Sequence, residues 1–151
     1  MSDFRNTSKN VSYDIAVLGA GSAGFSAAIT AADEGAQVAF IGHGTIGGTC
    51  VNVGCVPSKR PIRAAEGLHA AHAAKRFRGI EASARVTDWK AVVRQKQELV
   101  DGLRKTKYSD LLPAYNSVFY QEGKASFGED GALLVDGKKL NAAKIIITTG
   151  A

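Results

Sequence analysis

Two short apolar blocks lie near the start of the chain, with a glycine-rich turn and an alanine-rich stretch between them. The first block, YDIAVL at 13–18, is continuously apolar, which is typical of a strand buried in a parallel sheet. The turn GAGSAG at 19–24 follows, and FSAAITAADEG at 25–35 predicts a helix that ends at Gly35. The second block, QVAFI at 37–41, predicts another strand. A strand, glycine turn, helix and strand within about thirty residues indicate the βαβ unit of a doubly wound fold.

The middle of the chain predicts two helices. GHGTIGGT at 42–49 is predicted as a loop, and the alanine-rich stretch from about 50 to 76 as a helix. A second helix is predicted over 88–108, with Thr87 as its N-cap and Asp88 in its first turn. Apolar residues at three-four spacing give this helix one apolar face. The residues of that face are Trp89, Val92, Val93, Leu99, Val100 and Leu103.

Short strands are predicted in the last third of the chain. Asp136-Gly137 is a strong signal for a tight turn between two of them. KIIITT at 144–149 predicts a final, buried strand. The other candidates are 118–120, 124–127 and 132–135.

The pattern as a whole predicts an α/β, Rossmann-like doubly wound fold with a small β-meander. We expect a flexible tail over 1–11 and one domain over 12–151, because 151 residues suffice for a single core. The sequence stops where a strand gives way to a loop, so we expect this domain to be incomplete at its C-terminal end.

The composition indicates the class of protein and its cellular location. The chain is 45% hydrophobic and 22% charged, which is ordinary for a soluble globular protein. No apolar run approaches the roughly eighteen residues of a membrane span, and MSDFRNTSKN at 1–10 lacks a signal-peptide core. We therefore expect a cytoplasmic protein with no membrane partner. In that setting a nearby cysteine pair is more often catalytic or metal-binding than structural.

The net charge of +5 is concentrated in one segment. Residues 59–107 hold 13 Lys/Arg against 5 Asp/Glu. No nucleic-acid-binding motif accompanies this charge, so we interpret it as a solvated helix face and expect no nucleic-acid partner.

Gly19, Gly21 and Gly24 form the pattern G-x-G-x-x-G between the first strand and its helix. The first glycine permits a tight turn, the second lets the backbone approach a pyrophosphate, and the third lets helix and strand pack closely. The helix N-terminus then faces the anion. The pattern in this context predicts a dinucleotide site, although it does not separate FAD from NAD.

One element of such a site is missing. The acid that usually holds the adenosine ribose stands at the end of the second strand, where this sequence has Gly42 and His43. We expect a ribose contact that is weaker, water-mediated or made by the backbone.

Cys50 and Cys55 are separated by four residues. So small a ring removes little loop entropy and makes a poor structural staple, but it suits a redox element whose thiol pKa is lowered by a helix N-terminus. Inert thiols and half of a zinc site are the alternatives. His69 and His72 are the nearby imidazoles, and we expect both on a helix surface.

GGTCVNVGCVPSK at 47–59, preceded by GAGSAG and followed by IIITTGA at 145–151, resembles the pyridine-nucleotide disulfide oxidoreductases. These enzymes include dihydrolipoamide dehydrogenase, glutathione reductase and mercuric reductase. The resemblance implies FAD as cofactor and a reaction in which hydride passes from NADPH or NADH to FAD and electrons then reach the cysteine pair. It also implies a homodimer at full length and a nicotinamide site outside this chain.

The resemblance also implies individual roles. Cys55 corresponds to the thiolate beside the flavin, and Cys50 to the outer thiol that meets substrate. The implied FAD contacts are Gly44, Thr49, Lys59, Ala125, Thr149 and Gly150, together with the glycine motif. Arg60-Pro61 replaces the usual apolar residues after Lys59, and we expect Pro61 to disturb the helix there.

Within the family, TIGGTCVNVGCVPSK at 45–59, IRAAE at 62–66 and LRKTKYSDLLPAY at 103–115 look most like the mercuric reductases. That branch implies Hg²⁺ as substrate, held transiently by Cys50 and Cys55, because soft cations prefer thiolates. Its second cysteine pair, supplied by the partner subunit, has no counterpart in this sequence. We therefore expect residues 1–151 alone to have no turnover.

Two alternatives stay open. A dihydrolipoamide dehydrogenase or glutathione-reductase-like enzyme would keep the fold, the flavin and the cysteines, and change the substrate. A free-standing FAD-binding or mercury-binding module would not be an enzyme.

Overall fold

The computed structural model describes residues 12–150, so the predicted tail over 1–11 lies outside the described residues. Two compact units share the chain. One runs to Thr45 and resumes at Ala114, and the other spans Ile46–Pro113. The prediction of one FAD-binding domain over 12–151 remains a prediction.

Over its described residues, the first unit contains one α-helix and two sheets. In one sheet, four parallel strands lie in the order β3-β2-β1-β7, and in the other β4, β5 and β6 form an antiparallel meander. The predicted α/β Rossmann-like class with a small meander is confirmed. The elements are β1 (Ser12–Leu18), α1 (Ser22–Asp33), β2 (Val38–Gly42), β3 (Val118–Glu122), β4 (Ala125–Phe127), β5 (Leu133–Val135), β6 (Lys138–Lys139) and β7 (Asn141–Ile147).

Different elements pack on the two faces of the parallel sheet, because alternate residues of a strand point to opposite sides. On one side α1 packs on the sheet, and the rings of Phe25 and Phe40 meet edge-on with centroids 4.9 Å apart. On the other side the meander covers the sheet. The buried cluster there is Ala16, Leu18, Ala39, Ile41, Leu133 and Val135.

Most predicted elements of this unit are confirmed, but β6 was not predicted and two other elements differ from the prediction. The predicted start of α1 is three residues late, because the helix begins at Ser22, inside the glycine motif. The final strand is Asn141–Ile147, and the prediction that it is buried is wrong, since Ile147 is 62% exposed. Among the described strands β7 has one neighbour, β1, so its apolar residues lie at a sheet edge. The predicted turn is confirmed by the positive φ of both Asp136 and Gly137.

The second unit is helical. The single helix predicted over 50–76 is in fact two helices, α2 (Gly48–Asn52) and α3 (Cys55–Ala73), followed by a short 3₁₀ turn (Ala74–Arg76). Gly54 separates them because its backbone, at φ −107° and ψ −114°, is not helical. The next helix, α4 (Trp89–Arg104), continues into one π-helical turn.

The N-cap of α4 is Asp88, whose Oδ1 accepts a hydrogen bond from the amide of Ala91 at 3.1 Å. The prediction of Thr87 as N-cap is therefore wrong by one residue. Of the predicted apolar face only Val100 is fully buried, and Trp89 is 59% exposed. No helix among residues 12–150 is long and apolar enough to cross a membrane.

Replacing Gly24 by alanine is expected to lower the free energy of unfolding by about 1–3 kcal/mol. A Cβ at this position would collide with the carbonyl oxygen of Gly19. The matched control is Gly102→Ala in α4, where a Cβ meets nothing within 4 Å. That change should stabilise by about 0.5–1 kcal/mol through helix propensity. Urea unfolding of the full-length protein measures the change in unfolding free energy for each variant. Equal changes for the two substitutions would contradict the close contact between Gly24 and Gly19.

Candidate functional site

The glycine motif forms a turn in which Gly19 and Gly24 leave no room for a side chain. Gly19 has φ +114°, and a Cβ there would collide with the carbonyl oxygen of Thr148. Gly21 ends the turn in an extended conformation and caps α1. The first turn of α1 carries no acidic side chain, so its positive dipole end is not neutralised by the helix itself. This cradle of small residues beside a helix N-terminus fits a pyrophosphate.

Thr148 holds the turn in place, a role that the sequence did not reveal. Its hydroxyl lies 2.9 Å from the carbonyl oxygen of Leu18 and 3.0 Å from that of Gly19. Its amide also donates to Leu18, at 2.7 Å. The predicted contact residues Thr149 and Gly150 follow directly, and both are exposed. The end of β7 is thus fixed to the start of the turn.

The end of β2 lies beside the same turn. The carbonyl oxygen of Gly42 accepts a hydrogen bond from the amide of Gly123 at 2.7 Å, so the chain leaves β3 beside Gly42 and enters β4 at Ala125. Ala125 is half-buried. Gly44, the other predicted contact, is exposed with φ +80°. The predicted dinucleotide contacts of this unit therefore gather at the carboxyl ends of parallel strands, where ligands of such sheets bind.

Gly42 itself has no room for a side chain. A Cβ built on it would lie 2.5 Å from the hydroxyl oxygen of Tyr120 and 2.8 Å from the Cβ of Ala20. The acid that the sequence lacks at this position could not be accommodated without moving Tyr120.

The cysteine pair lies where α2 gives way to α3. The carbonyl oxygen of Thr49 accepts hydrogen bonds from the amides of Val53 at 3.0 Å and Gly54 at 2.7 Å, which closes a tight turn. A Cβ on Gly54 would lie 3.3 Å from the Cα of Cys50, so the chain returns very close to the first cysteine before the second begins α3. Both cysteines are exposed free thiols.

The two thiols contact each other. A hydrogen bond with the Cys55 side chain raises the pKa of Cys50 above its ordinary value. The backbone of Cys55 and the ammonium of Lys59 act in the opposite direction on the same pKa, more weakly. The lowered thiol pKa that the sequence suggested is therefore not found for Cys50, whose pKa is raised.

Asn52 fixes the loop around the pair, and sequence reasoning missed it. Its side-chain amide donates to the carbonyl oxygens of Ile46 at 3.0 Å and Gly48 at 2.8 Å. Its oxygen accepts from Nε of Arg104 at 2.7 Å, and Arg104 also pairs with Asp101. The cysteine loop is thereby tied to α4.

The remaining candidates of this unit lie on the surface. Thr49 and Lys59 are exposed, and α3 continues through Pro61 without a break. His69 and His72 are exposed on α3, and Nε2 of His72 lies 3.2 Å from the carbonyl oxygen of Ala84. Residues 12–150 contain no cluster of three or more His, Cys, Asp or Glu side chains that could hold a metal ion.

Known proteins are similar to this chain in sequence and in architecture. Mercuric reductases of Lysinibacillus sphaericus and Streptomyces lividans are each 44% identical to the chain, over 139 and 144 residues. Each match covers 92% of the chain, and the mercuric reductases of Lysinibacillus sphaericus and Staphylococcus aureus are covered over 25% of their own length. The chain thus spans about a quarter of the length of these relatives. The predicted resemblance to mercuric reductases is confirmed.

A solved structure of the HOCl-induced flavoprotein disulfide reductase RclA from Escherichia coli is 30% identical, with a TM-score of 0.72 over 92% of the chain and 28% of RclA. The copper(II) complex of the same protein gives 29% identity and a TM-score of 0.74. Residues 13–151 match the family described as pyridine nucleotide-disulphide oxidoreductase. These matches are consistent with the glycine cradle and the paired thiols. The chain belongs to the pyridine nucleotide-disulphide oxidoreductase family.

Proposed function

We propose that this chain is the FAD-binding, redox-disulfide portion of an NADPH-dependent enzyme that reduces Hg²⁺ to Hg⁰. The overall reaction is NADPH + Hg²⁺ → NADP⁺ + H⁺ + Hg⁰, which detoxifies mercury. The contact between the exposed thiols of Cys50 and Cys55 carries the proposal, because adjacent accessible thiols are both a two-electron redox couple and a ligand pair for a soft cation. The identity with mercuric reductases supports this choice of substrate over a disulfide.

The residues of the first unit would hold the dinucleotide. Gly19, Gly21 and Gly24 receive the pyrophosphate, while Ala125 and the segment Thr149–Gly150 contact the rest of the cofactor at the strand ends. Gly44, Thr49 and Lys59 are proposed as further contacts. When bound, FAD supplies a two-electron carrier between the nicotinamide and the thiols.

The thiol pair is proposed to bind the substrate as well as to carry two electrons. As thiolates, Cys50 and Cys55 bind Hg²⁺, and each must lose its proton to do so. The partner thiol raises the pKa of Cys50, so the proton of Cys50 is harder to release than that of an ordinary cysteine. Mercury binding should therefore favour higher pH. The ammonium of Lys59 assists, because its charge lowers the same pKa.

The proposed assembly is larger than this chain. The NADPH site lies outside it, and the functional unit is a homodimer in the cytoplasm.

The decisive assay uses the purified full-length protein that contains this chain. NADPH consumption is recorded with Hg²⁺ in excess thiol, and separately with lipoamide, glutathione disulfide and Cu²⁺. Copper is included because RclA has been solved as a copper(II) complex. NADPH consumption is expected with Hg²⁺ and not with lipoamide, glutathione disulfide or Cu²⁺. Consumption with a disulfide instead would assign the protein to a sister branch of the family.

Cys50→Ala and Cys55→Ala are each expected to abolish Hg²⁺-driven NADPH consumption while FAD stays bound, because each removes half of the redox couple. Turnover and bound flavin absorbance measure the two properties. His72→Ala, an exposed position on α3, is the control and should retain turnover. Full activity in either cysteine variant would overturn the assigned role.

The raised pKa of Cys50 is testable by alkylation. In the reduced protein, Cys55→Ala is expected to speed the reaction of Cys50 with iodoacetamide near neutral pH, because it removes the largest cause of the raised pKa. Lys59→Gln should slow it, and Lys75→Gln serves as control. Mass spectrometry of the peptide containing Cys50 gives the rates. A slower reaction in Cys55→Ala would contradict the direction of the shift.

A further inference from the structure

Tyr120 occupies the place that the ribose acid takes in related dinucleotide sites. That acid normally ends the second strand and binds the adenosine ribose hydroxyls. Here Gly42 ends β2, and a Cβ built on it would lie 2.5 Å from the Tyr120 hydroxyl oxygen and 2.9 Å from its ring carbon Cε2. The first of these distances is comparable with the reach of an aspartate from its Cβ to a carboxylate oxygen. The phenol oxygen therefore lies about as far from the strand as an acid's oxygen would.

The Tyr120 ring is held by packing. Tyr120 pairs with Phe40 in register across β3 and β2, and the two rings meet at 66° with centroids 5.6 Å apart. Phe40 is fully buried and packs edge-on against Phe25 of α1. This stack fixes the ring, so its hydroxyl is directed along the strand toward Gly42 and the glycine turn, where Ala20 lies 2.8 Å from the same Cβ position.

The hydroxyl has the chemistry that a ribose needs. Burial, and then the negative charge of Glu122, raise the pKa of Tyr120, so it remains a neutral phenol that can donate one hydrogen bond and accept others. Glu122 lies opposite Gly42 in the register of β2 and β3. Within residues 12–150 the hydroxyl has no hydrogen-bond partner.

We propose that Tyr120 takes over the role of the missing acid and hydrogen-bonds a hydroxyl of the adenosine ribose of FAD. The inference rests on the proposed function, since it needs FAD in the glycine cradle, and it adds a positioning residue from β3 that the motif in β2 does not contain. It replaces the earlier expectation of a water-mediated or backbone contact with a defined side chain.

Tyr120→Phe tests this with little risk to folding, because the ring and its packing remain. In the apo form of the full-length protein, FAD binding followed by flavin fluorescence should weaken about five- to tenfold, the usual effect of losing one hydrogen bond. Binding of FMN, which lacks the adenosine ribose, should not change. Tyr13→Phe is the matched control, since Tyr13 contacts Phe119 near the opposite end of the sheet, and its FAD affinity should equal that of the wild type.

FAD analogues that lack the 2′- or the 3′-hydroxyl of the adenosine ribose complete a thermodynamic cycle. For the analogue without the contacted hydroxyl, wild type and Tyr120→Phe should bind equally well. The inference is overturned if Tyr120→Phe weakens the binding of FAD and of both analogues by the same factor, or if it leaves FAD affinity unchanged. In either case, FAD binding by the wild type keeps the proposed function intact. If the wild type binds no FAD, the proposed function fails and this inference with it.

Discussion

The meeting of β1, β7 and α1 at the glycine turn is the constraint on which the first unit depends. Three backbone segments approach one another closely there, and Thr148 fixes their spacing through its hydroxyl and amide. A methyl group on Gly19 or Gly24 would separate them. The same approach exposes the N-terminus of α1 at the carboxyl edge of the sheet, so the packing that stabilises this unit also forms the proposed anion site.

The second unit solves a different problem, because it must keep two thiols adjacent and accessible. A continuous helix would not bring residues five apart into contact, since its neighbouring positions are three and four apart. The break at Gly54, closed by hydrogen bonds to the carbonyl of Thr49, brings Cys50 and Cys55 together. Asn52 and Arg104 hold this irregular segment to α4. The redox element is therefore local in sequence but is supported by a distant helix.

Sequence alone predicted what short-range patterns encode. The βαβ unit, the turn at Asp136-Gly137 and the spacing of the cysteines were recognisable because each depends on neighbouring residues. Contacts between distant segments were not predictable: Thr148 meets Leu18 130 residues away, and Tyr120 fills the space at Gly42 through strand pairing. The cap of α4 was misplaced because Thr and Asp both serve as N-caps, and the backbone conformation selects Asp88. The exposure of β7 depends on how many strands flank it, which its apolar composition does not encode.

The central claim is that Cys50 and Cys55 form a two-electron couple that NADPH reduces, and that the resulting thiolates bind Hg²⁺. The most direct test is the redox state of the peptide spanning 47–59, measured by alkylation and mass spectrometry in the full-length protein under anaerobic conditions. The account predicts a disulfide before NADPH is added, two alkylatable thiols after one equivalent, and two sulfurs shared by one mercury when Hg²⁺ follows. Two thiols that are alkylated to the same extent with and without NADPH would contradict it.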